Sequence, residues 1–219
     1  TRVLTKKNHR LIIPTRKPFQ KVYLKTQAPP GHIELIDFNP GNFSAMKEAI
    51  ENADYVINLC GILFENRNQK FHSIHVDIPE SIAKLCSQSN VKKFIHVSAI
   101  GANKDSKSKY QQSKFLGEEK ALNNFDKTVI IRPSVVIGNE DNFTNLFAKL
   151  SLSPIIPVVN VNYKFEPIFV NDVARAILKA IETKNNEGKI YELGGGRVIS
   201  FGDMIKLILS TIGKKRFVA

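Results

Sequence analysis

The chain has 219 residues, 42% of them hydrophobic and 24% charged, which fits a globular α/β domain with a substantial core. Its formal net charge is +12, and eight of the excess positive charges precede Glu34, the first acidic residue. Lysine outnumbers arginine by 24 to 8, tryptophan is absent, and asparagine and isoleucine are abundant. A compositional bias therefore explains the charge, and we expect no nucleic-acid binding.

Short β-type runs alternate with helical periods along the chain. The predicted strands lie at residues 9–15, 32–37, 55–60, 94–97, 128–132 and 190–193. The predicted helices are a helix end at 1–7 and helices at 110–122, from 170 onward and at 201–212. Another is capped by Asn42 and has Phe43, Met46, Ala49 and Ile50 on one face. A further helix has Ile74, Ile78, Ile82 and Leu85 in register. Because helical connections between parallel strands form right-handed crossovers, this order predicts a Rossmann-type α/β fold with a doubly wound parallel sheet.

The regular alternation of strands and helices ends at Pro133. Beyond it, prolines at 154, 157 and 167 divide the chain into short segments. We expect residues 1–138 to form the Rossmann domain. Residues 139–219 are expected to form a partial second lobe, interleaved with the last Rossmann elements.

The two cysteines, Cys60 and Cys86, each lie in an apolar stretch, so we expect reduced thiols in a reducing compartment. No group of His, Cys and carboxylates has the spacing of metal ligands, and no metal site is expected. The sequence contains no apolar run of the about 18 residues that a bilayer span requires. Residues 1–7 also lack the apolar segment of a secretory signal. A basic transit peptide is an alternative for the early positive charge, although no Ser-rich spacer follows.

Distinctive residues follow the predicted strands at their carboxyl ends, where ligands bind in open α/β sheets. They are Thr15 and Arg16 after the first strand, Asp37 at the end of the second, Leu59, Cys60 and Gly61 after the third, Ser98 after the fourth, and Pro133 and Ser134 after the fifth. Because carboxyl ends of parallel strands share one edge of a sheet, we expect these residues to face a common ligand.

Tyr110 and Lys114 are four residues apart on a predicted helix and therefore lie on one face of it. An ammonium close to a phenol favours the phenolate and lowers the phenol pKa from its ordinary value of about 10 toward the range of a general acid/base. The hydroxyl of Ser98 is then a candidate to hold a substrate oxygen. The Tyr-Lys spacing alone is a weak motif, so its surroundings decide its meaning.

The ordered motifs resemble the extended or atypical short-chain dehydrogenases/reductases of the NAD-dependent epimerase/dehydratase superfamily. Within them, the chain is similar to the group that includes the nucleotide-binding accessory subunit of respiratory complex I and its bacterial relatives. The matching segments, which run through most of residues 10–213, are VINLCG at 56–61, FIHVSAIG at 94–101, YQQSKFLGE at 110–118, RPSVVIG at 132–138 followed by Glu140 and Asp141, and PIFVNDV at 167–173.

The resemblance implies roles for individual residues. Tyr110 would be the acid/base, Lys114 would bind the nicotinamide ribose, and Ser98 would hold the substrate oxygen. The cofactor-binding residues would be Thr15, Arg16, Asp37, Phe38, Leu59, Cys60, Gly61, Tyr110, Lys114 and Pro133. NADP(H) is favoured over NAD(H), because the Arg16 guanidinium can pair with a 2′-phosphate.

Two further groups of residues have open interpretations. Arg132 fits a functional role and a structural ion pair equally well. His72, His75 and His96 are interpreted as structural or surface residues rather than catalytic ones.

The chain departs from the family pattern because it lacks a Gly-rich turn after a first strand, which would carry a helix N-terminus to the pyrophosphate. The triplet 194–196 follows the last predicted strand and cannot serve as that turn. We therefore interpret the sequence as a fragment that lacks its first strand, its Gly loop and its C-terminal end. We expect residues 1–219 alone to be less stable than a complete chain and to bind dinucleotide more weakly than about 1 µM.

The sequence supports two functional hypotheses. The first is an accessory protein that holds NADPH and has complex I subunits as partners. The second is an active oxidoreductase or epimerase that acts on a carbinol or a sugar nucleotide. The resemblance implies the bacterial cytoplasm, with a peripheral position on the inner membrane, or the mitochondrial matrix in a eukaryote.

Overall fold

The computed structural model describes residues 1–38, 44–158 and 160–218. Of residue 218 it describes the backbone only. The predicted cap Asn42 and its neighbour Phe43 lie outside these residues. The helices are α1 (Arg2–Thr5), α2 (Ser44–Glu51), α3 (Ile78–Ser87), α4 (Lys109–Asn124), α5 (Asn142–Leu150), α6 (Val170–Glu182) and α7 (Phe201–Thr211), with a 3-10 helix at Pro18–Gln27 and a π-helix at Ser73–Asp77. The strands are β1 (Leu11–Thr15), β2 (Ile33–Asp37), β3 (Tyr55–Asn58), β4 (Lys93–Val97), β5 (Thr128–Pro133), β6 (Val136–Ile137), β7 (Ile155–Ile156), β8 (Lys164–Phe165), β9 (Ile168–Phe169), β10 (Ile190–Leu193), β11 (Ile199–Ser200) and β12 (Phe217–Val218).

The central sheet has four strands in the order β10-β5-β4-β3. Strands β3, β4 and β5 are parallel, and Asn58 of β3 pairs with His96 of β4. The apolar runs in β4 and β5 are almost completely buried, as expected for parallel strands covered on both faces. The Rossmann-type fold class predicted from the sequence is therefore confirmed.

The first two strands form a separate parallel pair, in which Leu11 is opposite Ile33 and Thr15 is opposite Asp37. This pair and the four-stranded sheet share no ladder hydrogen bonds within the described chain. As a result β3 is an edge strand, and three of its four residues are half-exposed despite their apolar or aromatic side chains.

Helices α2, α3 and α4 pack with the central strands around one apolar core. The buried members of this core are Met46, Ile50, Ile74, Ile78, Ile82, Ala83, Cys86, Val91, Phe94, Ala121, Phe125 and Ile130. The predicted register is confirmed, because Ile74, Ile78 and Ile82 are buried in this core and Leu85 packs against it. The chain forms a π-helix before α3 begins.

The chain divides into two compact units, Thr1–Arg132 with Ala174–Tyr191, and Pro133–Val173 with Glu192–Ala219. The second unit has its own core around Phe147, Ile156 and Ile205. Within it, Gly195 lies so close to Pro167 that an added Cβ would be 2.0 Å from the Pro167 carbonyl oxygen. Close packing of the backbone therefore explains the need for this glycine.

Candidate nucleotide-binding and acid/base site

The loop after β3 is shaped by the buried side chain of Asn58, which is 2% exposed. Its Oδ1 accepts a hydrogen bond from the Cys60 N–H at 2.9 Å, and its Nδ2 lies 3.1 Å from Nδ1 of His96. This local turn removes Cys60 from the ladder, so β3 ends two residues earlier than the predicted strand. The loop therefore starts at Leu59, whose side chain is 68% exposed.

The second anchor of this loop is His75, which is 1% exposed. The Ile62 N–H donates to His75 Nε2 at 3.0 Å, and His75 Nδ1 lies 2.9 Å from Ser113 Oγ on α4. This contribution was not predicted, although the interpretation of His75 as structural allows for it. The available sequence signal was a histidine within an otherwise apolar helical face.

Lys114 is buried, with 4% of its surface exposed, and it makes no hydrogen bond or ion pair within the described part of the chain. A Cβ added to Gly61 would lie 3.2 Å from Lys114 Nζ, so the ammonium is directly beside the loop after β3. Burial lowers the pKa of Lys114 to about 8, and the nearby Glu118 carboxylate acts in the opposite direction.

Tyr110 is half-buried, and its ring packs against His75 and Phe71 with centroid separations of 5.4 and 5.9 Å. Burial raises the pKa of the Tyr110 phenol. The sequence-based expectation was the opposite direction, through the charge of Lys114. That expectation is wrong, because burial removes water from around the phenolate and is the cause that sets the direction of the shift.

Ser98 follows β4, and its N–H donates to the Ile131 carbonyl at 2.7 Å. Its side chain is 5% exposed, and Ser98 Oγ has no hydrogen-bond partner among the described residues. His96 Nε2 is likewise buried without a partner there. A buried hydroxyl without a partner is costly, so this position suits a ligand that supplies one.

Residues after the first two strands occupy the same unit. Arg16 is exposed and lies near Cys60. Burial raises the pKa of the Cys60 thiol, and the positive charges of Lys114 and Arg16 act in the opposite direction. Asp37 is exposed opposite Thr15, whose carbonyl accepts from the Phe38 N–H at 3.0 Å. Phe38 also packs against the apolar core.

Pro133 is the last residue of β5 and is buried in the second compact unit. The Ser134 N–H, next along the chain, donates to the Leu193 carbonyl at 2.9 Å.

Arg132 forms a two-bond ion pair with Glu118, from Nε to Oε1 at 2.9 Å and from Nη2 to Oε2 at 2.7 Å. Glu118 is 2% exposed, so this is an interior contact that ties β5 to α4. Of the two interpretations left open for Arg132, the structure shows the ion pair.

The arrangement combines a phenol, a buried ammonium and a backbone loop within one contact network. The ammonium can bind an anionic or hydroxyl-rich ligand, and the phenol can exchange a proton with it. Within the described residues, no cluster of three or more His, Cys, Asp or Glu is arranged to hold a metal ion. The same part of the chain contains no helix with the length and apolar character of a bilayer span.

Residues 1–194 match the NAD dependent epimerase/dehydratase family. The chain is 34% identical over 187 residues to "NADH dehydrogenase [ubiquinone] 1 alpha subcomplex subunit 9, mitochondrial" of Dictyostelium discoideum, and the match includes 85% of this chain and 52% of that protein. The chain thus spans about half the length of the curated relatives it matches.

Solved structures with the same fold include UDP-glucuronic acid 4-epimerase from Bacillus cereus in complex with UDP-glucuronic acid and NAD. Its TM-score is 0.75 and its identity is 19%, over 96% of this chain and 76% of that one. Another is dTDP-4-dehydrorhamnose reductase from Bacillus anthracis in complex with NADP. It has a TM-score of 0.74 and 18% identity, over 96% of this chain and 84% of that one. At this level of identity the likeness shows the fold.

Proposed function

Because the chain belongs to the NAD dependent epimerase/dehydratase family, we propose that it binds a nicotinamide dinucleotide along the loop after β3. The observation that carries this proposal is the buried ammonium of Lys114, which lies beside Gly61. It has no hydrogen-bond acceptor among the described residues. A ribose hydroxyl or phosphate oxygen of the dinucleotide would supply the missing acceptor. When bound, the dinucleotide would provide the capacity for hydride transfer.

The proposed main role is that of an accessory protein, which holds the dinucleotide within a respiratory assembly. The support is the similarity to mitochondrial complex I subunits, which extends over most of this chain. Complex I subunits are accordingly the proposed partners. The proposed location is the mitochondrial matrix in a eukaryote, or the cytoplasm and inner-membrane surface of a bacterium.

We further propose NADPH as the preferred form of the dinucleotide. Arg16 follows β1, is exposed, and lies near the loop that would bind the cofactor. A guanidinium in this position can pair with the 2′-phosphate that distinguishes NADPH from NADH.

A catalytic role is the second candidate, favoured by the buried Ser98 hydroxyl without a partner and by the location of Tyr110 and Lys114 in one network. Ser98 would hold the oxygen of a carbinol or carbonyl substrate, and Tyr110 would exchange a proton with that oxygen.

Titration of NADPH by saturation-transfer NMR tests the binding proposal, because this method detects complexes weaker than about 1 µM. We expect saturable binding that Lys114→Met weakens by about tenfold or more. Lys109→Met is the matched control, since Lys109 is exposed on the same helix. Equal affinity in Lys114→Met and the parent protein would refute the assigned role.

The choice of dinucleotide is tested separately with Arg16→Gln. We expect this change to lower the affinity for NADPH by about tenfold and to leave the affinity for NADH unchanged. Lys17→Gln, at the adjacent exposed cation, is the control. Parallel losses for both dinucleotides would argue against recognition of a 2′-phosphate.

Tagging the gene at its chromosomal locus separates the two roles. Co-purification with complex I subunits, without NADPH oxidation across a panel of carbonyl compounds, is expected for the accessory role. Turnover that disappears in Tyr110→Phe would instead establish the catalytic role.

A further inference from the structure

His75 connects the two parts of the proposed dinucleotide site. Its imidazole lies between the loop after β3 and helix α4, which carries Tyr110 and Lys114. Its backbone also contacts α4, since a Cβ added to Gly117 would be 1.8 Å from the His75 carbonyl oxygen. The residue sits in the π-helix Ser73–Asp77, a type of local distortion that often occurs at functional sites.

The hydrogen bonds define which imidazole nitrogen carries the proton. The Ile62 backbone N–H can only donate, so His75 Nε2 must accept and therefore has no proton. In the neutral ring Nδ1 then carries the proton and donates to Ser113 Oγ, which donates in turn to the Tyr110 carbonyl at 2.8 Å. Three hydrogen bonds thus run in one direction from the loop to the turn of α4 that begins with Tyr110.

The ring contacts alone do not require a histidine. His75 stacks on Phe71 with a centroid separation of 5.3 Å and an interplanar angle of 20°, and it meets Tyr110 edge to face. A phenylalanine would provide comparable ring contacts but would leave the Ile62 N–H and the Ser113 hydroxyl without this partner.

The surroundings keep the ring neutral. Burial and the charge of Lys114 lower the pKa of His75 to about 4, so the imidazole is uncharged at physiological pH. A neutral ring is the only form that accepts through Nε2 and donates through Nδ1.

We propose that His75 is a positioning residue that fixes the loop after β3 against α4 and thereby sets the separation between Gly61 and Lys114. It would act on the dinucleotide through these groups and would not contact the reacting atoms. The proposal rests on the proposed dinucleotide-binding function and identifies the residue that organises that site.

The test compares His75→Phe, which keeps an aromatic ring, with His75→Gln, which can accept from Ile62 and donate to Ser113. We expect His75→Phe to weaken NADPH binding by about tenfold and His75→Gln to stay within about threefold of the parent. Phe71→Leu, which changes the stacking and not the hydrogen bonds, is expected to remain close to the parent. Equal losses in the Phe and Gln variants would overturn the proposal, and so would unchanged affinity in the Phe variant.

Measurements on the ligand-free protein decide the hydrogen-bond arrangement even if NADPH does not bind. Long-range ¹H–¹⁵N NMR should show His75 in the Nδ1–H tautomer, and Ser113→Ala should keep this tautomer because the Ile62 N–H still donates to Nε2. Amide exchange at Ile62 should accelerate in His75→Phe and not in His75→Gln. Averaged tautomers in the parent protein would overturn the positioning role, whereas absence of NADPH binding with a fixed tautomer would overturn the proposed function.

Discussion

At the residue scale, Lys114 is an ionisable group whose burial makes stability depend on pH. Its folded-state pKa of about 8 is below the ordinary value of 10.5. Between these values the unfolded chain binds more protons than the folded chain, so the free energy of unfolding rises with pH. We expect the free energy of unfolding of the parent protein to rise by up to about 3 kcal/mol, relative to that of Lys114→Met, between pH 8 and 10.5.

Urea denaturation of both proteins at several pH values measures this difference, because the other ionisable groups largely cancel in the comparison. Lys109→Met, on the exposed side of the same helix, should show no such trend relative to the parent. A constant difference between parent and Lys114→Met from pH 8 to 10.5 would contradict the burial of an unpartnered ammonium.

The sequence predicted the shared face of Tyr110 and Lys114 because helical spacing is a local property. It did not predict how strongly each side chain is buried, which depends on distant segments such as the loop at Gly61 and the π-helix. For this reason the direction of the Tyr110 pKa was wrong, and the bonds made by His75 were not foreseen.

At the element scale, Lys93 connects β4 to the end of α6. Its ammonium donates to the carbonyls of Ala180 and Thr183 at 3.1 and 2.6 Å, and to Asn186 Oδ1 at 2.6 Å. The side chain is buried, so Lys93→Met would leave these acceptors without the cation that satisfies the helix C-terminus. We expect a loss of about 3 kcal/mol in the free energy of unfolding, measured with urea.

Lys92→Met is the natural control for this change. Lys92 is the adjacent residue, and its ion pair with Asp54 is exposed on both sides. Its replacement should leave the urea midpoint nearly unchanged. Equal midpoints for the Lys92 and Lys93 variants would show that the buried ammonium contributes little to the attachment of α6.

Helix α4 depends on Gly117 for its contact with the π-helix. An alanine would ordinarily favour a helix by about 1 kcal/mol over glycine. Here its Cβ would be 1.8 Å from the His75 carbonyl oxygen, and backbone atoms cannot move aside cheaply. We expect the clash to dominate, so that Gly117→Ala loses about 3 kcal/mol or more, while Glu119→Ala at an exposed position of α4 stays within about 0.5 kcal/mol.

Thermal unfolding of the two α4 variants measures this difference. A Gly117→Ala protein as stable as the parent would mean that α4 and the π-helix can separate without cost.

The predicted and observed elements agree where the sequence pattern is strong. Strands β4, β5 and β10 and helices α4 and α7 lie at the predicted positions, within two residues. The end of β3 was placed too late because Asn58 bonds to the Cys60 N–H, a side-chain contact that apolar patterning does not encode.

At the scale of the whole molecule, the alternation of strands and helices along the chain was predictable from the sequence, whereas the separation of β1 and β3 into two sheets was not. The two strands run close together: the rings of His9 and Tyr55 are 6.5 Å apart where the strands begin, and Arg16 is near Cys60 where they end. They nevertheless belong to different sheets and share no ladder hydrogen bonds in the described chain. Pairing depends on which backbone lies alongside, and no local pattern contains that information.

This open arrangement should appear in amide hydrogen exchange. Strand β4 has neighbours on both sides and buried side chains, whereas β3 has a neighbour on one side and is mostly half-exposed. Local opening therefore costs less free energy at β3, and the same holds for β1 in its two-stranded pair. We expect amides of β1 and β3 to exchange at least about tenfold faster than those of β4 and β5.

Hydrogen exchange with mass spectrometry resolves these segments, and β4 is the internal reference. Equal protection of β3 and β4 would require the open edge of β3 to be covered in solution, and would contradict the division into two sheets.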